Sequence, residues 1–457
     1  MSTTIASSVQ RLRATYDSGL TRPASWRINQ LKQLQQLLNE HEAALLSALN
    51  ADLGKSTAEG WLTELGYLHS DIKHTVKHLK KWMRPQRVSQ PLMAWPGRSY
   101  RYPEPLGVVL VIGAWNYPLQ LLLSPMVAAL AAGNCVVVKP SELAPKTAEL
   151  LERLLPDYLS AETVQVVTGD AAVATQLLQQ RFDHILYTGG GRVGRIVMKA
   201  AAEFLTPVTL ELGGKSPAVV LEDADISVAA RRIAWGKWLN AGQTCIAPDY
   251  VLVHENVHDQ LVSALKTAIN EFFGSDPSTS EDYGRIVNQQ HCERLVSYLD
   301  NGTIAAGGQH DMRGRFIAPT VLTEVDEQSD VMQDEIFGPI LPVLKIKNLA
   351  SAVSFIRERD KPLALYGFSC SQRALQQLTE QTHAGNQCNN DTLMFMLNPE
   401  LPFGGVGPSG MGRYHGRFGF ETFSHLKSVM TRPFKMDPNF RYPPYTPFKQ
   451  KLLRWFS

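Results

Sequence analysis

An α/β protein built from two large lobes is the fold class that this sequence predicts. Three observations carry the prediction. The chain has 457 residues, more than one hydrophobic core normally holds, so two lobes of roughly 200 residues each are expected. From Gly107 onward short apolar runs alternate with segments of helical length, the pattern of parallel βαβ units. A glycine-rich turn, Gly189 to Gly194, stands where one of these strands hands over to a helix.

The elements follow in order. Ile5, Val9 and Leu12 fall at helical spacing and mark an amphipathic first helix. Trp26 to Asn50 carries apolar residues at the same spacing, and Asp52-Leu53-Gly54 closes it. Met83 to Pro105 is rich in proline and aromatics and reads as an extended arm. The alternating series then runs as strand 107–112, helix 119–132, strand 135–138, helix 145–155, strand 164–167, helix 171–179, strand 184–187 and helix 192–202. A second α/β series is expected from Val208–Leu212 onward, with a strand at 218–221 and a helix at 226–239. Its end is followed by Gly- and Pro-rich sequence at 401–416. The stretch 433–447 is expected to lie over a surface without regular structure. The resulting division is 1–210 as a cofactor-binding lobe with an arm at about 83–102, 211–420 as a catalytic lobe, and 421–457 as a C-terminal oligomerisation segment and tail.

Composition excludes several classes. Lys and Arg total 45 against 43 Asp and Glu, a net charge of +2, which gives no strong field for nucleic acid. The five cysteines are dispersed and form no CxxC pair, so neither a metal site nor a disulfide framework is expected, and a reducing, cytoplasmic setting is the simpler reading. The apolar stretch 106–138 is interrupted by Asn116, Pro118, Gln120, Pro125 and Asn134. It therefore reads as a buried strand–helix–strand and not as a membrane span.

Five short segments have chemical potential, and each has a plainer alternative. Tyr187-Thr188-Gly189-Gly190-Gly191-Arg192-Val193-Gly194 follows a strand and opens a helix, where backbone N–H groups favour a phosphate. A tight strand-to-helix turn explains it equally well. It also departs from the usual dinucleotide fingerprint, because several strands precede it and no acid follows about 20 residues later. Lys139 and Glu142 lie just past a strand end and suit a ribose edge, although a solvated loop is the plainer explanation. Glu211 ends an apolar strand, where desolvation raises a carboxyl toward the range of a general base; pairing with Lys215 is the alternative. Cys245 lies in a Gly-rich turn and Asn116 at a strand end. A lone cysteine is more often a small hydrophobe, and a lone asparagine there more often an N-cap.

Taken together, the segments GAWNYP, KPSE, YTGGGRVG, ELGGKSP, NAGQTC, DEIFGP and LPFGGVGPSGMGRYHG resemble the aldehyde dehydrogenase superfamily, in the family's own order over residues 113–416. Short length, the lack of a long N-terminal extension and the RYPPY tail resemble the class 3 and fatty aldehyde branch. The resemblance implies an aldehyde dehydrogenase-like fold of two Rossmann-like lobes plus a small oligomerisation arm. It implies NAD(P)-dependent oxidation of aldehydes, medium- or long-chain aliphatic or aromatic, to carboxylic acids. Cys245 matches the nucleophile, Asn116 the oxyanion donor and Glu211 the base for deacylation. Lys139 and Glu142 match residues holding the adenosine ribose, and Gly189 and Gly194 flank the pyrophosphate turn. Glu335 matches the holder of the nicotinamide ribose, Phe337 packs beside the nicotinamide, and Trp115 and Leu212 complete the cofactor set. NAD is the expected cofactor because Glu142 would crowd a 2′-phosphate; NADP stays open.

Two departures from the family pattern touch cofactor and substrate. Gly190-Gly191 stands where many relatives have Ser-Thr, and Phe395 stands near a histidine of the fatty aldehyde branch. Trp61, Tyr67, Tyr117 and the segment 393–397 are candidates for an aldehyde tunnel, with core packing as the alternative for each. The resemblance also implies a homodimer. The basic and aromatic tail 449–456 offers weak peripheral contact with a membrane, against the alternative of packing on the protein. Two rival functions fit these residues less well. An acylating enzyme passing the thioester to coenzyme A or phosphate does not need Glu211. A non-catalytic protein of this fold does not need Cys245, Glu211 and Asn116 together.

Overall fold

The computed structural model describes residues 4–456. Two main sheets organise the chain. The first has six strands in the order Gly410–Met411, Val208–Glu211, His184–Thr188, Val108–Ile112, Cys135–Lys139 and Val164–Val166. Five of its strands run parallel through four pairings, and only Gly410–Met411 is antiparallel. Val108–Ile112 is buried at every residue, which explains its unbroken Val/Leu/Ile run: a parallel strand covered on both faces needs no alternation.

One face of this sheet is covered by helices Ala24–Glu40, Gly66–Trp82 and Gln120–Ala132, which share a core through Leu31, Leu34, Leu68, Ile72, Met126 and Leu130. Helix Gln120–Ala132 is buried along its whole length. The other face is closed by the N-terminal helix Ile5–Asp17, whose Val9 and Leu12 pack with Val108, Leu110 and Val197. The predicted strands and helices of this lobe fall within a few residues of the observed ones. The expected helix at 26–50 is two, Ala24–Glu40 and Glu42–Leu53. His41 leaves helical geometry between them, at φ −116° and ψ 18°. Gly54 closes the second helix at φ +67°, the left-handed cap that glycine adopts without strain.

The second sheet has seven strands in the order Thr303–Ala306, Thr320–Thr323, Ile340–Ile346, Tyr250–His254, Pro217–Val220, Ala364–Phe368 and Asn386–Asn389. A third sheet joins Gln86–Val88, Arg98–Pro105 and Ser424–Thr431, all antiparallel. The arm foreseen at 83–105 is thus paired with the C-terminal strand.

Two expectations are corrected here. Val208–Glu211 does not open the second series; it pairs in parallel with His184–Thr188, Ile185 opposite Val208. Helix Gly191–Ala202 and the short link after it form a βαβ crossover, which returns the chain to the same sheet. The second is the single helix expected at 26–50, which His41 divides in two; the stretch 433–446 has no longer element than a single 3₁₀ turn, and helix Pro447–Phe456 follows it.

The consequence for function is positional. Strands Val108–Ile112 and His184–Thr188 are neighbours, yet the chain leaves them toward opposite sides of the sheet. Ligands bind such sheets beyond the C-terminal strand ends at this switch point. Ile112, Lys139, Thr188 and Glu211 are the strand ends that face it.

Candidate active site

A cleft of about 600 Å³ opens at these strand ends, and residues from both sheets line it. Asn116, Glu211, Cys245, Trp115, Lys139, Glu142, Gly189, Leu212, Glu335 and Phe337 all reach its wall. Gly194 does not. It is buried in the first turn of helix Gly191–Ala202, where an added Cβ would press on Leu212. Its role is close helix-to-strand approach, the third-glycine function of dinucleotide folds.

Glu211 is 2% exposed, and neither carboxylate oxygen has a hydrogen-bond partner. Burial pushes its pKa well above the ordinary carboxylate value, toward the range useful to a general base. The alternative of a Glu211–Lys215 pair is excluded. Lys215 donates instead to Asp249 at 2.6 Å and to the carbonyls of Val331 and Asp334.

Cys245 follows three residues in left-handed conformation: Asn240 at φ +53°, Ala241 at +51° and Gly242 at +76°. A Cβ at Gly242 would collide with the Gly338 carbonyl. Residues beyond the turn hold this strained backbone. Gln243 donates to the carbonyls of Asn240 and Arg285 and accepts from Val287 N–H at 2.9 Å. Tyr366 donates to the Ile246 carbonyl at 2.5 Å, and the hydroxyls of Tyr117 and Thr244 pair at 2.6 Å. Burial raises the Cys245 thiol, with Glu335 and Glu211 adding to the rise, while the N–H groups of Cys245 and Ile246 oppose it.

Asn116 is not a helix cap. Its amide donates to the Gln243 carbonyl at 3.0 Å, leaving the second N–H of the amide. The cap of helix Gln120–Ala132 is Leu119, without a side-chain bond. Asn116 and Cys245 are therefore tied through one peptide of the nucleophile turn.

The opposite part of the cleft suits a dinucleotide. Gly189, at φ +156°, and Gly190 precede the helix N-terminus, and an added Cβ at Gly190 would meet open space. Lys139 is 3% exposed and pairs with Glu142 at 3.0 Å. Glu335 packs so closely on Gly213 that a Cβ there would collide with its carboxylate. Burial, then Asp249, pushes the pKa of Glu335 up to about 8. Phe337, at φ +49°, lies edge-on to Trp115 with ring centroids 5.3 Å apart. These residues fit a nicotinamide dinucleotide: a helix N-terminus for phosphate, polar groups for two riboses and aromatic walls for a ring. A larger groove of about 1020 Å³ lies over the second lobe around Lys266 and Phe355 and contains none of these residues.

A separate apolar pocket of about 200 Å³ is lined by Trp61, Tyr67, Met396, Leu397 and His415, among others. Tyr117 is not part of it, and Phe395 packs in a stack between Tyr366 and Phe403. Sequence reasoning missed His415. It stands in the quoted GRYHG run, but no spacing rule distinguishes it. It is 3% exposed, stacks on Phe403 at 5.0 Å, and its Nε2 has no partner. Burial lowers its pKa to about 3, so the imidazole is neutral. Sequence reasoning also missed Lys55, Glu59 and Glu64, which lie beneath Asn116. His291 and Arg294, from the second lobe, complete the cleft wall.

The chain was compared with known proteins. The family model for the aldehyde dehydrogenase family matches residues 3–429. "Aldehyde dehydrogenase, dimeric NADP-preferring" of Canis lupus familiaris is 47% identical over 442 residues, 96% of this chain and 98% of that protein. "Aldehyde dehydrogenase family 3 member A2" of Rattus norvegicus is 47% identical over 450 residues, 98% of this chain and 93% of that protein. Among solved structures, "Substrate bound state of Staphylococcus Aureus AldH" superposes with a TM-score of 0.97 at 43% identity, covering 99% of this chain and all of that one. The chain belongs to the aldehyde dehydrogenase family, in its class 3 branch, and its activity is the NAD(P)-dependent oxidation of aldehydes.

Proposed function

We propose that Cys245 is the nucleophile, that Asn116 and the Cys245 backbone N–H are the oxyanion donors, and that Glu211 is the hydrolytic base. The observation that carries this reading is Glu211: a buried, unpartnered carboxyl on the wall of the same cleft as Cys245. A carboxyl kept without a partner costs stability unless it is used. Cys245 Sγ, as the thiolate, adds to the aldehyde carbon. The oxygen left with the charge is held by the free N–H of Asn116 and the N–H of Cys245. Lys139 and Glu142 would hold the adenosine ribose, Gly189 and Gly190 the pyrophosphate, and Glu335 the second ribose. Trp115, Leu212 and Phe337 would enclose the nicotinamide. When bound, the nicotinamide supplies the two-electron acceptor that turns the adduct into a thioester on Cys245. Glu211 then takes a proton from water as that water attacks the thioester, and the carboxylic acid leaves.

The pocket of Trp61, Leu62, Met396 and Leu397 supports an aldehyde with an extended apolar or aromatic group. A dimer is proposed through the three-stranded arm, where Leu92, Trp95 and Met430 are 59%, 54% and 49% exposed. Peripheral membrane contact is proposed for helix Pro447–Phe456, which carries Lys449, Lys451 and Arg454 beside exposed Phe448 and Trp455. No helix among the described residues is long and apolar enough to cross a membrane.

Cys245→Ala should abolish oxidation of every aldehyde and leave NAD binding intact, because the thiol bonds to substrate only. With the wild type, kcat/KM should rise from acetaldehyde to a medium-chain aldehyde. Turnover by the alanine variant would refute the nucleophile, and a flat chain-length profile would refute the pocket assignment.

Light scattering should return the mass of a dimer, and a monomer would overturn that reading. Vesicles rich in phosphatidylserine should float the chain but not one ending at Thr446; equal flotation would remove the tail contact.

Glu211→Gln should still release a burst of NADH, about one per site, and then stall as a thioester on Cys245. The steady rate should fall on the order of 10²-fold. Loss of the burst as well would place Glu211 before acylation.

The raised pKa also fixes the sign of a stability effect. Folded Glu211 holds its proton more tightly than unfolded, so its contribution is complete below the unfolded value of about 4.5 and is lost as pH rises. Wild-type melting temperature should therefore fall relative to Glu211→Gln as pH goes from 5 to 8. A constant difference would show that Glu211 is ionised in the resting fold.

A further inference from the structure

A charged cluster lies buried behind the oxyanion donor, and none of its side chains lines the cleft. Lys55 and Glu64 are fully buried and pair at 2.6 Å. Each of the lysine's three N–H groups has a use. One goes to Glu64, one to the Asn116 carbonyl at 2.9 Å, and the ammonium rests 3.9 Å from the centre of the Tyr117 ring. Glu64 Oε2 accepts from the N–H groups of Leu119 and Gln120, at 2.8 and 3.2 Å. The turn that carries Asn116 is therefore gripped at both ends, by its carbonyl and by the N–H groups that follow.

The same segment also grips the nucleophile turn. Glu59 Oε1 accepts from the N–H of Asn240 at 2.9 Å, the first of the three left-handed residues before Cys245. The Asn240 amide in turn donates to the carbonyls of Asn116 and Gln243, at 2.8 and 3.1 Å. The backbone between Glu59 and Glu64 has a feature suited to this task. Trp61–Leu65 is a π-helical turn. Residues five apart diverge by about 140° in an α-helix of 3.6 residues per turn, whereas i→i+5 bonding brings them toward one side. Both glutamates thus turn inward, one to each half of the oxyanion site.

Stability does not account for the cluster. A buried ion pair is often no more stabilising than apolar side chains of the same volume. What the charges supply is geometry: directional bonds to main-chain groups on both sides of one catalytic contact.

We infer that Lys55, Glu59 and Glu64 are positioning residues that fix the Asn116 turn against the nucleophile turn, and so aim the Asn116 amide at the oxygen of the bound aldehyde. The inference rests on the assignment of Asn116 as an oxyanion donor. It predicts that loss of the cluster acts through Asn116 and shows in the acylation step that the NADH burst reads.

The test is a double-mutant cycle on the full chain with NAD and aldehyde. The Lys55→Met/Glu64→Gln pair removes both charges together, so neither is left buried alone. Its NADH burst rate should fall on the order of 10²-fold, the effect of a misplacement near 1 Å, while KM for aldehyde and Kd for NAD stay unchanged. In an Asn116→Ala background the same pair should cause no further loss. An additive loss there, or a wild-type burst in the pair alone, overturns the inference. A wild-type burst in Asn116→Ala alone instead refutes the oxyanion assignment beneath it. If the paired variant does not fold, Glu59→Gln serves alone, since it keeps an acceptor for Asn240 N–H and leaves the Lys55–Glu64 pair intact. Its burst should be slower only where Asn116 is present, and an unchanged burst overturns the inference.

Discussion

Keeping a carboxyl buried and without a protein partner at the junction of two sheets is the constraint on which the rest of this structure depends. Glu211 ends a strand of the first sheet, and the chain then passes directly to Pro217–Val220 of the second. Cys245 arrives from the second sheet's side, just before Tyr250–His254. The two groups meet only because these sheets are joined there. The edge strand Gly410–Met411 seals the arrangement: it pairs antiparallel with Val208–Glu211, placing Gly410 opposite Glu211. A side chain at Gly410 would run into the Leu210 carbonyl. The glycine therefore lets a late segment of the chain cover the strand end without supplying a hydrogen bond to the carboxyl.

A site of this kind needs a rigid backbone, since left-handed conformations of Asn240 and Ala241 each cost about 1 kcal/mol or more. The structure holds them by many weak constraints. Glu59 takes the Asn240 N–H, Gln243 spans the turn to the 285–287 segment, and Gly338 leaves no room beside Gly242. These supports come from four separated parts of the chain. The nucleophile turn is thus a product of tertiary packing and has little local preference of its own. The helical layer before residue 83 is part of the same device, since Lys55, Glu59 and Glu64 all come from it.

Much of the fold was legible in the sequence, because buried parallel strands leave short apolar runs and their helices leave amphipathic ones. The candidate site was legible through the ordered motifs of the family resemblance more than residue by residue: Cys245, Glu211, Asn116 and Glu335, which it named, all reach one cleft. What stayed hidden depends on contacts distant in sequence. Nothing local tells that Val208–Glu211 pairs backward with the first sheet, because strand character does not name its neighbour. Glu59 and Glu64 look like the solvated face of a helix until the π turn rotates them inward. Lys215 beside Glu211 reads as its partner, yet the strand geometry sends it to Asp249, more than thirty positions away. His415 is invisible for a related reason: burial beside Phe403, Tyr414 and Tyr67 sets its state, and Tyr67 comes from a helix more than 300 positions away.

The electrostatics of the cleft add a further step. Glu211 and Glu335 both raise the Cys245 thiol, and burial raises all three groups. Like charges this close in a desolvated site oppose one another, so ionising one makes the next harder to ionise. Burial thus favours the neutral form of each group. The apolar pocket follows the same rule: His415 is held neutral, and Asp71 on its wall is pushed up to about 6 by burial. A neutral, dry approach lets an apolar aldehyde enter without displacing hydrated charges. It also strengthens any hydrogen bond made to charge that appears only during reaction. That is the role assigned to the free N–H of Asn116. The same low dielectric that makes Glu211 costly to ionise thus makes the oxyanion contact effective, and both follow from closing the second sheet over the strand ends of the first.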